Sequence, residues 1–442
     1  MNNIKANNQE IASSKRTRND VREPKLRFKE FEGDWEKKKL NSINIKVIDG
    51  DRGKNYPNGN DFTKEGFCLF LNAKNVTKKG FSFITKSFIN EKKDSLLRKG
   101  KLIRNDIVLT TRGSVGHIAY YSENIPYENL RINSGMVLIR TNSDIIQSSY
   151  LNKYLRGIQV QKEIKKISFG SAQPQLTVGE ILKFKIAFPT LKEQQKITTF
   201  LTAVDTKIQQ LTKKKTLLEA YKKGVMQQLF SQQLRFKPDV IANDSEAISN
   251  SKSTTAFPNW SAKKLGEYLI LKSQRNKDLK VKLVLSVSNK KGFISQSEQF
   301  DGYEVASKDL SNYKIVKKNE ITYNPSRINV GSIATLENFD EGIVSPMYVI
   351  FALKKELDIS YFENLYQTHY FKHLIKVGCS GSVRDSLNFN DLSDFKLSFP
   401  SLKEQQKIAT YLSAIDTKIT NVQTQLEKTQ VFKKGLLQGI FV

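Results

Sequence analysis

Glycine-bearing loops carry the side chains best suited to chemistry in this chain of 442 residues. The first half of the chain offers two such loops, and their polar side chains are Arg112, Ser114, Ser171, Gln173 and Gln175. Arginine can form paired hydrogen bonds to guanine, and glutamine can do so to adenine, while glycine lets the backbone come close to a ligand. These loops predict contacts to nucleic-acid base edges. Ordinary structural turns whose polar side chains face water are the alternative interpretation.

The second half of the chain has loops that match these two. Their polar side chains are Arg327, Asn329, Ser382 and Arg384. Gln173 and Arg384 stand at matched positions of the two halves. Because glutamine and arginine suit different bases, the two halves are predicted to read different base pairs.

The net charge of +28 and the sequence pI of about 9.7 favour a polyanionic partner. Nucleic acid is the most common such partner, although charge can also serve solubility alone. Lysine and arginine side chains outside the loops are expected to bind phosphate, which contributes affinity without sequence choice.

Motifs for catalysis are not found in this sequence. It has no G-x-x-x-x-G-K-[ST] phosphate loop, and the Asn-Pro-Ser-Arg stretch from Asn324 lacks the second proline and the aromatic residue of a methyltransferase loop. Pro238-Asp239 is not followed by a Glu-x-Lys pair, since Glu246 precedes Ala-Ile. His369 and His373 have the spacing of one helix face but no further ligand nearby. The sequence therefore predicts no catalytic residue, no metal and no cofactor in this chain.

A long internal repeat must position the loops. The chain reads FPTLKEQQKITTFLTAVDTKI from Phe188 and FPSLKEQQKIATYLSAIDTKI from Phe399. The match continues without a gap through Lys222-Lys223-Gly224 and Lys433-Lys434-Gly435. A repeat of this length indicates two copies of one structural unit.

Apolar residues in the repeated stretch recur at alternating steps of four and three. The seam residues that we single out are Ile197, Leu201, Val204, Ile208 and Leu211 in the first copy and Ile408, Leu412, Ile415, Ile419 and Val422 in the second. This spacing predicts two long helices of about 40 residues, each with the narrow apolar seam of a coiled coil. Pro189 and Pro400 suit the first helical turn. Antiparallel pairing of the two helices is the economical arrangement, and separate packing of each helix on its own domain is the alternative.

Short apolar runs separated by turn residues predict strands in the globular segments, for example Cys68–Leu71, Ile107–Leu109 and Gly135–Ile139, and one helix over Tyr150–Ile167. The fold class is α/β (α+β), with two globular domains in one chain. The predicted organisation is a disordered polar tail 1–24, a first domain 25–187, a helix 188–233, a linker 234–256, a second domain 257–398 and a helix 399–442.

Two cysteines far apart in sequence do not indicate disulfides, which fits a reducing cytoplasm. The N-terminal segment has no apolar signal sequence, and no run of about 18 apolar residues exists. We therefore expect a cytoplasmic protein without a membrane span.

The two variable domains, each closed by an FP-x-L-K-E-Q-Q-K-I helix with D-T-K-I downstream, resemble the specificity (S) subunit of a type I restriction-modification enzyme. The resemblance covers nearly the whole chain, from about Leu26 to Val442. It implies that each domain is a target recognition domain for one half of a bipartite, asymmetric site in double-stranded DNA. It also implies that the paired helices act as a spacer.

The resemblance further implies partners. Two methyltransferase (M) subunits would dock on the helices, and restriction/translocase (R) subunits would join them. S-adenosylmethionine, ATP and Mg would then belong to the partner subunits of a type I site-specific deoxyribonuclease and adenine methyltransferase complex. The alternatives are a non-specific DNA-binding coiled-coil adaptor and a self-contained DNA methyltransferase.

Overall fold

The computed structural model describes residues 11–13, 24–168, 175–238, 256–289, 291–296, 309–379 and 386–441. The chain divides into two compact units. The first unit takes Met1–Thr212 and Thr424–Val442, and the second unit takes Lys213–Gln423. Each of the two long helices therefore contributes one half to each unit.

The first globular segment and its helix form elements β1 to β13 and α1 to α5. Their bounds are β1 Ile11–Ser13, β2 Leu26–Phe28, β3 Glu36–Lys39, β4 Ile45–Asp49, β5 Cys68–Leu71, β6 Val76–Thr77, β7 Gly80–Phe81, β8 Phe88–Ile89, α1 Glu91–Leu96, β9 Ile107–Thr110, β10 Ile118–Tyr120, β11 Leu130–Ile132, β12 Met136–Thr141, α2 Ser148–Leu155, α3 Ile158–Ser168, α4 Val178–Leu182, β13 Lys185–Phe188 and α5 Leu191–Phe230.

An antiparallel sheet of four strands, in the order β10-β9-β12-β4, forms the centre of the first unit. Side chains alternate between its faces, as the period of two in a strand requires. Ile107, Leu109 and Ile139 enter the hydrophobic core that the helices share, whereas Val108 and Leu138 pack into a second core beneath the sheet β11-β5-β8. Because both faces are covered, residues 107–109 of β9 and 136–139 of β12 are all apolar and buried.

The second globular segment and its helix form elements β14 to β23 and α6 to α9. Their bounds are β14 Ser261–Lys264, β15 Leu269–Lys272, β16 Leu285–Ser288, β17 Gly292–Ser295, β18 Lys314–Lys317, β19 Ile321–Tyr323, β20 Ile333–Thr335, β21 Glu341–Val344, β22 Val349–Leu353, α6 Ile359–Gln367, α7 His369–Cys379, α8 Phe389–Ser393, β23 Lys396–Phe399 and α9 Leu402–Ile440.

The two units share one sheet topology and differ in what covers the sheet. The order β20-β19-β22-β15 repeats the order β10-β9-β12-β4 strand for strand. The first unit covers its outer face with β11-β5-β8, in which β11 and β5 are parallel, whereas the second unit has the pairs β16-β17 and β18-β21. The differing strands lie, in chain order, between the first and second strands of the shared sheet, except that β11 and β21 lie between the third and fourth.

The single helix predicted over Tyr150–Ile167 is wrong, because the structure has two helices there, α2 and α3. The Gly157 N–H donates to the carbonyl of Tyr154 at 2.8 Å, which closes the last turn of α2 before α3 begins. At the matched position of the second unit, Thr368 breaks α6 from α7 and its hydroxyl accepts from the N–H of Phe371 at 3.2 Å.

The prediction of two long helices is confirmed by α5 with 40 residues and α9 with 39. Pro189 and Pro400 lie just before the helices rather than in the first turn. Thr190 and Ser401 precede the first helical residues, and their hydroxyls accept from the N–H of the glutamate three residues later.

The two helices form an antiparallel coiled coil. In the first unit, Lys433 Nζ lies 2.6 Å from Asp205 Oδ1. In the second unit, Lys222 Nζ lies 2.7 Å from Asp416 Oδ2. These pairs join the D-T-K-I motif of one copy to the K-K-G motif of the other. Of the ten seam residues, Ile208 and Ile419 are half-buried and the other eight are buried.

Two lysines of the described chain pair with Asp205, whereas one pairs with its counterpart Asp416. Lys153 Nζ also contacts the Asp205 carboxylate. Burial alone raises the pKa of Asp205, but the ammonium groups of Lys153 and Lys433 bring that pKa below its ordinary value. Burial lowers the pKa of Lys153, and Asp205 opposes only part of that shift.

Each long helix ends in the unit that does not contain the start of that helix. Phe441, which follows α9, packs against Tyr150 and Tyr154 in the first unit, with ring centroids 5.8 and 5.4 Å away. The matched Phe230 at the end of α5 packs against Tyr361 in the second unit at 5.4 Å. Both hydrophobic cores are therefore completed by residues from both copies of the repeat.

The predicted tail and linker lie mostly outside the described residues. Within the tail 1–24, the structure places the short strand β1, which pairs with β2. The predicted linker 234–256 begins with ordered residues, since Arg235 and Phe236 contact the second unit, and residues 239–255 lie outside the described part. Among the helices of the described chain, none is long and apolar enough to cross a membrane.

Candidate nucleic-acid interface

Glu193, the glutamate of the first LKEQQK motif, binds the first residues of the globular segment to α5. Arg27 Nε and Nη2 donate to Glu193 Oε1 and Oε2 at 2.9 and 2.8 Å. The Trp35 indole N–H donates to the same carboxylate at 3.3 Å. Since the Glu193 side chain is only 1% exposed, this is a buried, bidentate ion pair.

The second unit repeats this arrangement, except that its tryptophan donates to the other carboxylate oxygen. Arg235 Nε and Nη2 donate to Glu404 Oε1 and Oε2 at 3.0 and 2.7 Å, and the Trp260 indole N–H donates at 3.2 Å. Sequence analysis missed Arg27 and Arg235, although the tetrapeptide LRFK occurs at both 26–29 and 234–237. That repeat was the signal that could have identified them.

The glutamine that follows each glutamate ties the helix to the loop before α2 or α6. Gln194 Nε2 donates to the carbonyls of Ile145 and Pro189, both at 2.8 Å. Its Oε1 accepts from the N–H of Gln147 at 2.9 Å. Gln405 makes the three matched contacts in the second unit. The LKEQQK motif therefore orients each domain on the helices and leaves the loops to meet a ligand.

The structure brings the two predicted loops of the first unit together. Arg112 and Gln175 are antiparallel bridge partners, and the Leu176 N–H donates to the Thr111 carbonyl at 3.0 Å. Both Arg112 and Gln175 are exposed. Two residues suited to base edges therefore stand side by side at one edge of the four-stranded sheet.

The first of these loops has a fixed base and an open tip. Thr110 Oγ1 accepts from the His117 N–H at 2.9 Å and donates to the Ser114 carbonyl. The Arg112 N–H donates to the Gly135 carbonyl at 3.2 Å. At the tip, Gly113 has a φ of +68° and no atom within 4 Å of the place a Cβ would take. The backbone is thus held while Arg112 and Ser114 face outward.

The second unit joins its loops in the same way. The Leu387 N–H donates to the Pro325 carbonyl at 3.1 Å, as Leu176 does to Thr111. The Arg327 N–H donates to the Asn324 carbonyl at 3.0 Å, and both Arg327 and Asn329 are exposed. The remaining predicted residues, Ser171, Gln173, Ser382 and Arg384, lie outside the described residues.

Matched residues shortly before two strands of each unit have a positive φ. Asn105 and Asn319 both adopt a positive φ, +74° and +67°, two residues before β9 and β19 begin. Gly116 and Gly331 also match, with φ of +89° and +97°. Among the described residues, no group of three or more His, Cys, Asp or Glu side chains is placed to hold a metal ion.

Two segments of the chain match the family model described as the type I restriction modification DNA specificity domain, residues 32–220 and 258–429. The chain therefore belongs to this family, and it carries the family domain twice.

Curated relatives agree along most of the chain. A type I restriction enzyme MjaIX specificity subunit of Methanocaldococcus jannaschii is 24% identical over 351 residues, which cover 76% of each chain. A putative type I restriction enzyme MjaX specificity subunit of the same organism is 25% identical over 428 residues, covering 93% of this chain and 94% of the relative.

Solved structures agree with the fold. The S subunit of a type I restriction-modification system from M. genitalium matches with a TM-score of 0.58 at 16% identity, covering 95% of this chain and 99% of that one. A chain from a structural study of the complex assembly and conformational transition of the type I R-M system matches with a TM-score of 0.50 at 14% identity, covering 91% and 96%. The chain is a specificity subunit of the type I restriction-modification class, a family that is not itself catalytic.

Proposed function

We propose that this chain selects the DNA sequence on which a type I restriction-modification complex acts, with each unit reading one half of a bipartite site. The observation that supports this most directly is the repeated loop pair. Arg112 and its bridge partner Gln175 in the first unit, and Arg327 with Asn329 on the single loop after β19 in the second, are exposed at the same edge of the matched sheet. The shared edge supplies a common docking geometry, and the different side chains supply different base contacts.

The proposed target is asymmetric. A symmetric homodimer presents the same surface twice and is restricted to palindromic sites. This chain presents two different loop sets within one polypeptide, because the repeat keeps the framework and varies the loops. The net charge of +28 provides the phosphate attraction that both half-sites need.

Catalysis is assigned to partner subunits. Two methyltransferase subunits would bind the coiled coil, whose internal repeat offers two equivalent faces, and restriction/translocase subunits would join them in the cytoplasm. S-adenosylmethionine, ATP and Mg would be held by those partners. The chain itself would choose the site and take no part in bond making or breaking.

Methylome sequencing tests this proposal. A host that expresses the chain with its neighbouring methyltransferase subunit is compared with a host that lacks only this chain. Loss of methylation at one split, asymmetric motif is expected. Unchanged methylation would contradict the role in site selection, and binding competition with unrelated duplexes would then reveal a non-specific adaptor.

Arg112→Ala should relax one half-site and leave the other unchanged. Loss of a bidentate contact to guanine removes about 1–3 kcal/mol of discrimination, which corresponds to roughly 5- to 150-fold at one base pair. The measurement is the methylated motif in hosts that carry Arg112→Ala, Arg327→Ala or the unaltered chain. Arg327→Ala is the matched control, since its effect should fall in the opposite half-site. Relaxation of both half-sites by either variant would contradict independent reading.

A further inference from the structure

A third loop emerges beside the candidate base-reading loops in each unit. In the first unit, Asp49 at the end of β4 is opposite Val137, and Met136 at the start of β12 is opposite Thr110 at the end of β9. The loop after β4 therefore leaves the sheet at the edge where the Arg112 loop begins. In the second unit, Lys272 at the end of β15 is opposite Ile350, so the loop after β15 leaves at the matched edge.

A buried carboxylate shapes this loop in the first unit. Asp51 is 6% exposed, its Oδ1 accepts from the Gly53 N–H at 2.8 Å and its Oδ2 accepts from the Arg98 N–H at 2.7 Å. The backbone N–H of Gly53 is the main cause that lowers the pKa of Asp51 below its ordinary value. Asp51 thus joins two basic segments, whose exposed side chains are Arg52, Lys54, Arg98 and Lys99.

Glycines bring these segments close to the Arg112 loop. A Cβ at Gly50 would meet the Asn133 carbonyl oxygen at 2.2 Å, so only glycine allows this approach. Arg52 Nη2 donates to the Ser134 carbonyl at 3.3 Å. The next residue, Gly135, accepts from the Arg112 N–H. The basic segment around Arg52 and the candidate base-reading loop at Arg112 therefore contact the same turn, residues 133–135.

In the second unit, a buried asparagine rather than an aspartate fixes the backbone of the loop after β15. Asn276 is fully buried, its Nδ2 donates to the Val281 carbonyl at 2.8 Å and its Oδ1 accepts from the Val281 N–H at 3.2 Å. The Asn276 N–H donates to the Tyr313 carbonyl at 2.9 Å. The exposed basic side chains on this loop are Arg275, Lys277, Lys280 and Lys282.

We infer that these two loops are the sites where each unit grips the sugar-phosphate backbone of duplex DNA, next to the bases that it reads. We name them the basic loops, Arg52–Lys54 with Arg98–Lys99 in the first unit and Arg275–Lys282 in the second. The inference deepens the proposed function and rests on it.

Three features favour a DNA backbone as the occupant. Both loops carry four basic side chains, and both stand beside arginine-bearing loops at one sheet edge. A buried polar residue, Asp51 or Asn276, fixes the loop backbone. Among the exposed cations, Arg52 pairs with Asp49 and Lys280 pairs with Asp278. Finally, the loops keep their place and charge although the strands that follow them differ between the units, which is expected if both units meet the same repeating ligand. Phosphate contacts of this kind set register and affinity but not sequence.

Binding as a function of salt tests the inference in the full-length chain. The variants are Lys54→Ala with Arg98→Ala for the first unit, and Lys277→Ala with Lys282→Ala for the second. Each pair removes two cations, so the slope of log K against log salt should fall by about 2 for either pair. Affinity for the target duplex and for an unrelated duplex should drop by the same factor.

A matched control removes the same charge elsewhere. Lys37→Ala with Lys39→Ala alters two exposed lysines on β3, outside the four-stranded sheet, and should leave the slope near that of the unaltered chain. An unchanged slope in the basic-loop variants, or an equal decrease in the control, would overturn the inference. If the unaltered chain prefers no duplex, the proposed function fails instead, and the slopes on the unrelated duplex still decide whether the basic loops bind phosphate.

Discussion

Arg27→Met is expected to destabilise the first unit by about 3–5 kcal/mol, the cost of removing one partner of a buried ion pair. The cost arises because Glu193 would remain buried as an uncompensated carboxylate, with the Trp35 N–H as a neutral donor. Trp35 and Trp260 are the two tryptophans of the chain. In a Trp260→Phe background, urea unfolding followed by Trp35 fluorescence therefore reports the first unit alone.

Two controls separate the buried charge from the loss of a large side chain. Arg27→Met combined with Glu193→Met removes both charges and should recover much of the lost stability. Lys38→Met removes one partner of the exposed Lys38–Glu36 pair of the first unit, whose side chains are 43% and 58% exposed, and should not change stability measurably. If the single Arg27 variant is as stable as the unaltered chain, the ion pair does not hold the segment on the helix.

Insertion of one heptad into both long helices is expected to change the recognised site itself. The insertions go between Leu211 and Leu218 and between Val422 and Thr429, where each helix passes from one unit to the other. Seven helical residues add about 10 Å, which corresponds to about three base pairs. We expect the methylated motif to keep both half-sites and to gain about three base pairs between them.

Insertion into α5 alone is the control for this experiment. It puts Lys222 and Asp416 out of register with the pair Lys433 and Asp205, so we expect methylation to be lost rather than moved. An unchanged gap in the double insertion would show that the coiled coil does not set the distance between half-sites.

The long helices could be predicted from the sequence because they are long and strictly periodic, and because the near-identical copies support each other. The family could be recognised for the same reason. The ion pair between Arg27 and Glu193 could not be predicted. Each residue stands in a repeated motif, but the two motifs are far apart in sequence and no pattern links them. Only the folded chain shows that Glu193, a residue of the internal repeat, binds an arginine in addition to favouring the helix dipole.

The sequence shows which residue types the candidate loops carry, but not how the loops are arranged. Glycine, arginine and glutamine in loops suggested base contacts, but the bridge between Arg112 and Gln175 depends on strand order, which a pattern of short strands does not fix. The basic loops were missed for a related reason. Arg52 and Arg98 look like ordinary surface charge until Asp51 is seen to join their backbones.

The ending of each helix in the opposite unit has a consequence for biosynthesis. The core of the first unit includes Leu436, Ile440 and Phe441, which leave the ribosome long after the strands that they cover. α5 can cover part of this core early, but the part that α9 covers stays open until the whole second segment, 257–398, has been made. Such contacts between distant parts of a chain slow folding. The packing of Phe441 on Tyr150 can therefore form only after both globular segments have been synthesised.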